Sequence, residues 1–180
     1  MKIKPFTLGL AVILQFISFT AFSQKKVDLN SLLDKNSEFI FPQTTDKISK
    51  ALHTETVFYE DANEEKYAKW ITEAGLGLYS GLGKNNTINE MFFEIPDGQP
   101  LIIEGLPYSL VLNKTTLEEA KAKFKKYGAK VQKLDNNSEF PGGSELIFKR
   151  EKHYSTLFFD NKNLLKSLRI TTELMSQAVN

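Results

Sequence analysis

The chain has 180 residues, 23 basic and 22 acidic, with no cysteine and two histidines. Near-neutral charge argues against a nucleic-acid binder, which carries a basic face, and the lack of cysteine excludes disulfide staples and cysteine-ligated metal. Packing alone must hold the fold, and 14 Phe, 6 Tyr and one Trp supply the bulk for a core.

Met1-Lys2-Ile3-Lys4 is a short basic start, Leu8 to Phe22 is an uncharged apolar run, and Ala21-Phe22-Ser23 offers small residues where a signal peptidase reads. Residues 1–23 therefore read as a cleaved secretory signal, with the mature chain beginning at Gln24. A retained anchor would need about 20 apolar residues, and no Cys follows to carry a lipid. The Ser-Gln junction resembles the secretory signals of Bacteroidota, so the expected location is periplasmic or secreted. Loss of Lys2 and Lys4 leaves 21 basic against 22 acidic residues, a net charge of −1. A chain of this length buries roughly 70% of its unfolded surface, enough for a cysteine-free core.

In the first half, Phe39-Ile40-Phe41 predicts a strand leading through Thr44-Thr45-Asp46 into an amphipathic helix with Ile48, Ala51 and Leu52 on its apolar side. Val57-Phe58-Tyr59 is strand-like. Residues 63–75 stay open between helix and strand. Asn63 as a cap, Tyr67, Ile71 and Ala74 at helical spacing and a terminal Gly75 fit a helix, whereas Tyr67 and Trp70 equally fit an inserted strand.

The stretch GLGLYSGLGK, Gly75 to Lys84, holds four of the ten glycines. It is not a phosphate loop: counting back from Gly83-Lys84 puts Leu78 where a P-loop needs its first Gly, and Asn85 where it needs a hydroxyl. A dinucleotide pattern fails too, because its third glycine would fall on Ser80 or Asn86. The run reads instead as a strand, Leu76 and Leu78 inward and Gly75, Gly77 and Tyr79 outward, its open face kept shallow by glycine. Ile88 to Ile95 closes this half with period-two alternation, and the turn-prone Glu94-Ile95-Pro96-Asp97-Gly98-Gln99-Pro100 follows.

The second half echoes the first. Leu110-Val111-Leu112 leads to Thr115-Thr116-Leu117-Glu118-Glu119, with Thr115 and Glu118 as a capping box, then Ala120, Phe124 and Tyr127 on one helix side and Gly128 as the stop. Strands follow at Val131–Leu134, Leu146–Lys149 and Leu165–Ile170, with Tyr154–Phe159 as one strand more than the first half carries. The expected fold is α+β, two tandem repeats of helix plus antiparallel sheet, over residues 24–98 and 99–180.

The run LPYSLVLNKTTLEEAKAKFKKYG, Leu106 to Gly128, followed by GSELIFK and NKNLLKSLRI, resembles the tandem helix-plus-sheet domains of the β-lactamase inhibitor protein and of small outer-membrane assembly proteins, and similar immunity-type proteins. It covers about 65 residues well and the first half faintly. The resemblance implies architecture and no target, since the inhibitor's cysteines and partner-binding loops have no counterpart here.

Chemistry is sparsely signalled. No H-x-x-x-H, H-E-x-x-H or G-x-S-x-G occurs around His53 or His153. The acidic run Tyr59-Glu60-Asp61-Ala62-Asn63-Glu64-Glu65 lacks the glycine and alternating acid spacing of a calcium loop. No catalytic, metal or cofactor residue is assigned, and a catalytic role is not expected. Sorting strand residues by alternation instead places Tyr79, Phe92, Tyr154 and Phe158 with Glu90, Glu94, Lys149 and Arg169 on the face away from the helices, with Arg169 level with Phe92. Aromatics and Arg are enriched at interface centres. The expected function is thus an exported, non-catalytic protein-binding module of inhibitor, immunity or envelope-assembly type, its partner another envelope protein or an incoming one. The rivals are packing of the two halves sheet against sheet, and a small-molecule or lipid carrier using the same aromatic face as a pocket.

Overall fold

The computed structural model describes residues 24–172, so the secretory signal predicted at 1–23 lies outside the described residues. In chain order the elements are β1 (Gln24–Lys26), α1 (Thr45–Leu52), β2 (Val57–Glu60), β3 (Lys66–Ile71), β4 (Gly77–Gly81), β5 (Glu90–Glu94), β6 (Ile102–Glu104), α2 (Leu117–Phe124), β7 (Lys130–Lys133), β8 (Ser144–Arg150), β9 (His153–Phe159) and β10 (Leu165–Thr171). Strands β2 to β5 and β7 to β10 form one eight-stranded antiparallel sheet, ordered β2-β3-β4-β5-β10-β9-β8-β7, while β1 pairs in parallel with β6. The fold is α+β.

Within the segment left open at 63–75, residues 66–71 form strand β3 and 72–75 a turn, because burial at alternate positions outweighs the helical spacing. Ala68 and Trp70 point into the core, and the Trp70 indole donates to Ser49 Oγ on α1 (3.0 Å) and Thr56 Oγ1 (2.9 Å). With β3 counted, each half supplies one helix and four sheet strands, which corrects the expected extra strand at Tyr154–Phe159. Phe39–Phe41 and Leu110–Leu112 are not strands. Each makes a single bridge, Leu33 with Phe39 and Ile103 with Leu112, and their apolar side chains plug the core from irregular backbone.

Both helices start on threonine caps. Thr44 Oγ1 accepts from the Lys47 amide, and Thr116, not Thr115, caps α2: it accepts from the Glu119 amide, and the Glu119 carboxylate accepts from Thr116 N–H. The Thr115 hydroxyl is occupied by the Val111 amide. Gly128, at φ 69°, closes the α2 region in the left-handed conformation that glycine adopts without strain.

One face of the sheet is covered. Trp70 meets α1. Phe148 stacks on Phe124 of α2 at 4.0 Å, with Tyr108 edge-on at 5.4 Å, and Phe93 meets Phe39 edge-on at 5.6 Å. The core runs through both halves without a break, from Ile48, Leu78 and Met91 to Leu157, Leu168 and Ile170. Because the halves join edge to edge through β5 and β10, they do not pack sheet against sheet. The opposite face is left without a covering layer of helix or sheet among the described residues.

Candidate functional site

All eight residues predicted for the open face lie on it. Across the central row, β3, β4, β5, β10 and β9 place Lys69, Tyr79, Phe92, Arg169 and Thr156 directly opposite one another. Alternation dictates this: their strand neighbours Trp70, Leu78, Phe93, Leu168 and Leu157 are buried on the other face.

The centre is ordered by its own contacts. Tyr79 and Phe92 stack at 4.6 Å with 4° between planes, and the Arg169 guanidinium sits 5.1 Å from the Phe92 centroid. Arg169 donates to Glu90 Oε2 at 2.9 Å, and the Tyr79 hydroxyl donates to Glu94 Oε2 at 3.4 Å. Lys149 lies 4.8 Å over the ring of Tyr154, its direct cross-strand neighbour. Holding Arg169 on an aromatic face and an acid fixes a side chain that otherwise loses much rotamer freedom on binding.

The electrostatics are those of a half-dry surface. Burial pushes the Tyr79 phenol well above its usual range, and the nearby Glu94 adds to it. Burial also raises the Glu94 carboxyl, against the pull of Lys69 and the Tyr79 hydrogen bond. Glu139 is raised by burial and by the charge of Glu94.

Some of this face was not predicted. Phe140 comes from the loop after β7 to lie 6.4 Å from Phe158, and Glu139 beside it joins Glu94, Asn113 and Lys166 around a notch of 140 Å³. Nothing local in the sequence announces that loop's position. Tyr67, stacked on Tyr59 at 5.2 Å, extends the aromatics toward β2, and reading 66–71 as a strand would have revealed it. Gly77 plays a different part from the one expected. A Cβ there would stand 3.0 Å from Pro96 Cγ, so the glycine makes room for the turn packed on it rather than keeping a shallow surface.

The histidines are elsewhere. His53 caps the end of α1, and His153 faces the helix side, packed edge-on to Phe41 with Nδ1 3.6 Å from Glu38. Among the described residues no group of three or more His, Cys, Asp or Glu side chains is placed to hold a metal ion, and no helix is long and apolar enough to cross a membrane. Two hollows at the β2 to β5 end of the sheet, of 680 and 510 Å³, open to solvent; polar Glu64, Asn86, Thr171 and Thr172 line much of the larger. No protein-family model, curated protein or solved structure matches the chain.

Proposed function

We propose that the protein is an exported, non-catalytic protein-binding module that receives its partner on the open face of the sheet. The observation carrying this reading is the central array of Tyr79, Phe92 and Arg169, stacked, ion-paired and partly exposed on a face that no helix or sheet among the described residues covers. Aromatic and Arg side chains already held in place give large contact area at small entropic cost, which is the composition of interface centres. Around it Glu90, Glu94, Lys149, Tyr154 and Phe158 supply a mixed polar rim.

The matching order of the halves, one helix and then four antiparallel strands, with β5 and β10 paired at the seam, supports two tandem repeats. That architecture suits an inhibitor, immunity or envelope-assembly role in the periplasm or outside the cell. The test is capture from a native envelope extract on immobilised protein beside the Phe92→Ala/Arg169→Ala variant, with a melting curve for each. A protein retained by the wild type and lost by a variant of nearly unchanged melting temperature supports the reading. A variant that loses its fold shows these side chains to be core, and a co-purifying small molecule seen by native mass with no protein retained moves the face to the carrier role.

A further inference from the structure

The two edges of the sheet are opposite in charge. Around β2, residues 55–66 carry Glu55, Glu60, Asp61, Glu64 and Glu65 against Lys66 alone; around β7, residues 123–133 carry Lys123, Lys125, Lys126, Lys130 and Lys133 and no acid. Among the described residues each edge strand is bonded to one neighbour only, and all four residues of each are exposed. The apolar side chains on them are unusually open: Val57 is 60% exposed, Phe58 58%, Tyr59 43% and Val131 41%. Lysines on an edge are an ordinary guard against strand addition, but β2 has no lysine within it and no proline.

Direction and facing both match. Seven successive antiparallel pairings separate the edges, so β2 and β7 run in opposite directions, and a second copy set beside the first in the same orientation brings the two together antiparallel. Phe58 lies opposite Ala68 and Val131 opposite Leu146, both buried, so both apolar side chains are on the helix side of the sheet. Setting Phe58 against Val131 of the second copy places Tyr59 against its Lys130 and Val57 against its Gln132. A Tyr–Lys pair directly across two strands already exists in this sheet at Tyr154 and Lys149. Like-with-like pairing is disfavoured at both edges, acid against acid at β2 and lysine against lysine at β7.

We propose that copies of this chain associate head to tail, β2 of one against β7 of the next, extending the sheet and leaving the open face free. The contact is heterologous, so it grows beyond a dimer unless the sheet curvature closes it. It rests on the edges alone, independently of what the open face binds.

Sedimentation velocity of the purified protein over a concentration series, at low and high salt, tests it. The expected result is a mass that climbs past a dimer with concentration and falls with salt, since charges on exposed strands are screened. Lys130→Glu/Lys133→Glu and, separately, Glu55→Lys/Glu60→Lys alter only exposed side chains, and each alone should remain monomeric. Mixing the two should restore growth, because each then offers the other a complementary edge. A chain monomeric at every concentration overturns the proposal. So does a β7 variant that still dimerises, which would mean β2 pairs with itself, and so does growth that survives both variants.

Discussion

Glu38 shows how one side chain ties distant parts of this fold together. The residue is 3% exposed; its carboxylate is ion-paired to the Arg150 guanidinium at the end of β8 and close to His153 at the start of β9, while its amide donates to Asp34 at 2.9 Å. Arg150 in turn rests over Tyr127, 5.2 Å from its centroid. Burial pushes the Glu38 carboxyl above its ordinary value of 4.5, Arg150 pulls back, and Glu151 and Asp34 push upward again. A carboxyl raised on folding takes up its proton more readily in the folded state, so its contribution to stability is fullest below pH 4.5 and is lost as pH rises through the folded value. Glu38→Gln removes that titration. The stability advantage of wild type over Glu38→Gln, measured by urea unfolding at a series of pH values, should therefore shrink as pH rises from about 4 to about 7. A gap that widens instead would show that Arg150 overrides burial and holds the carboxylate low.

At the scale of elements, local chemistry was legible where a rule had one solution. Period-two alternation assigned Leu76, Leu78, Met91, Phe93, Leu157 and Leu168 inward and all eight site residues outward, because a strand has only two faces. It was ambiguous where two rules fitted. Thr115 with Glu118 and Thr116 with Glu119 both satisfy the capping-box spacing, and the Val111 amide, four residues back, occupies the Thr115 hydroxyl and leaves Thr116 as the cap. Thr116→Ala should consequently cost about 1 kcal/mol in chemical denaturation and speed hydrogen exchange at the Glu119 amide, whereas Thr115→Ala should leave that amide protected. The reverse pattern would return the cap to Thr115. Residues 63–75 posed the same difficulty: Tyr67, Ile71 and Ala74 are spaced as on a helix, but only a strand buries Ala68 and Trp70 together and leaves Ile71 out. The β1–β6 pair was not legible at all, since it joins three residues at each of two places about 78 positions apart with no local pattern to mark it.

For the whole molecule the question is whether two similar halves behave as one. A linker could have left them independent, but β5 and β10 pair over five registers, Leu168 against Phe93 and Ile170 against Met91, with all four buried at the seam. The halves also lock through β1 against β6, through Glu38 against Arg150 and through the Tyr108 amide donating to the Ser37 carbonyl at 2.7 Å. Contacts of this extent make unfolding of one half expose the apolar seam of the other, which favours a single cooperative transition. The only tryptophan, Trp70, is fully buried in the first half and reports that half alone. Phe148, packed on Phe124 and Tyr108 in the second half and 2% exposed, is the place to weaken the other. Truncating it should cost about 3–5 kcal/mol through lost burial and the cavity left behind. If the sheet is one unit, Phe148→Ala moves the Trp70 fluorescence midpoint by the same amount as the far-UV circular dichroism midpoint. A Trp70 transition left where it was, beneath a biphasic dichroism curve, would mean that the first half stands without the second and that the seam carries little of the stability.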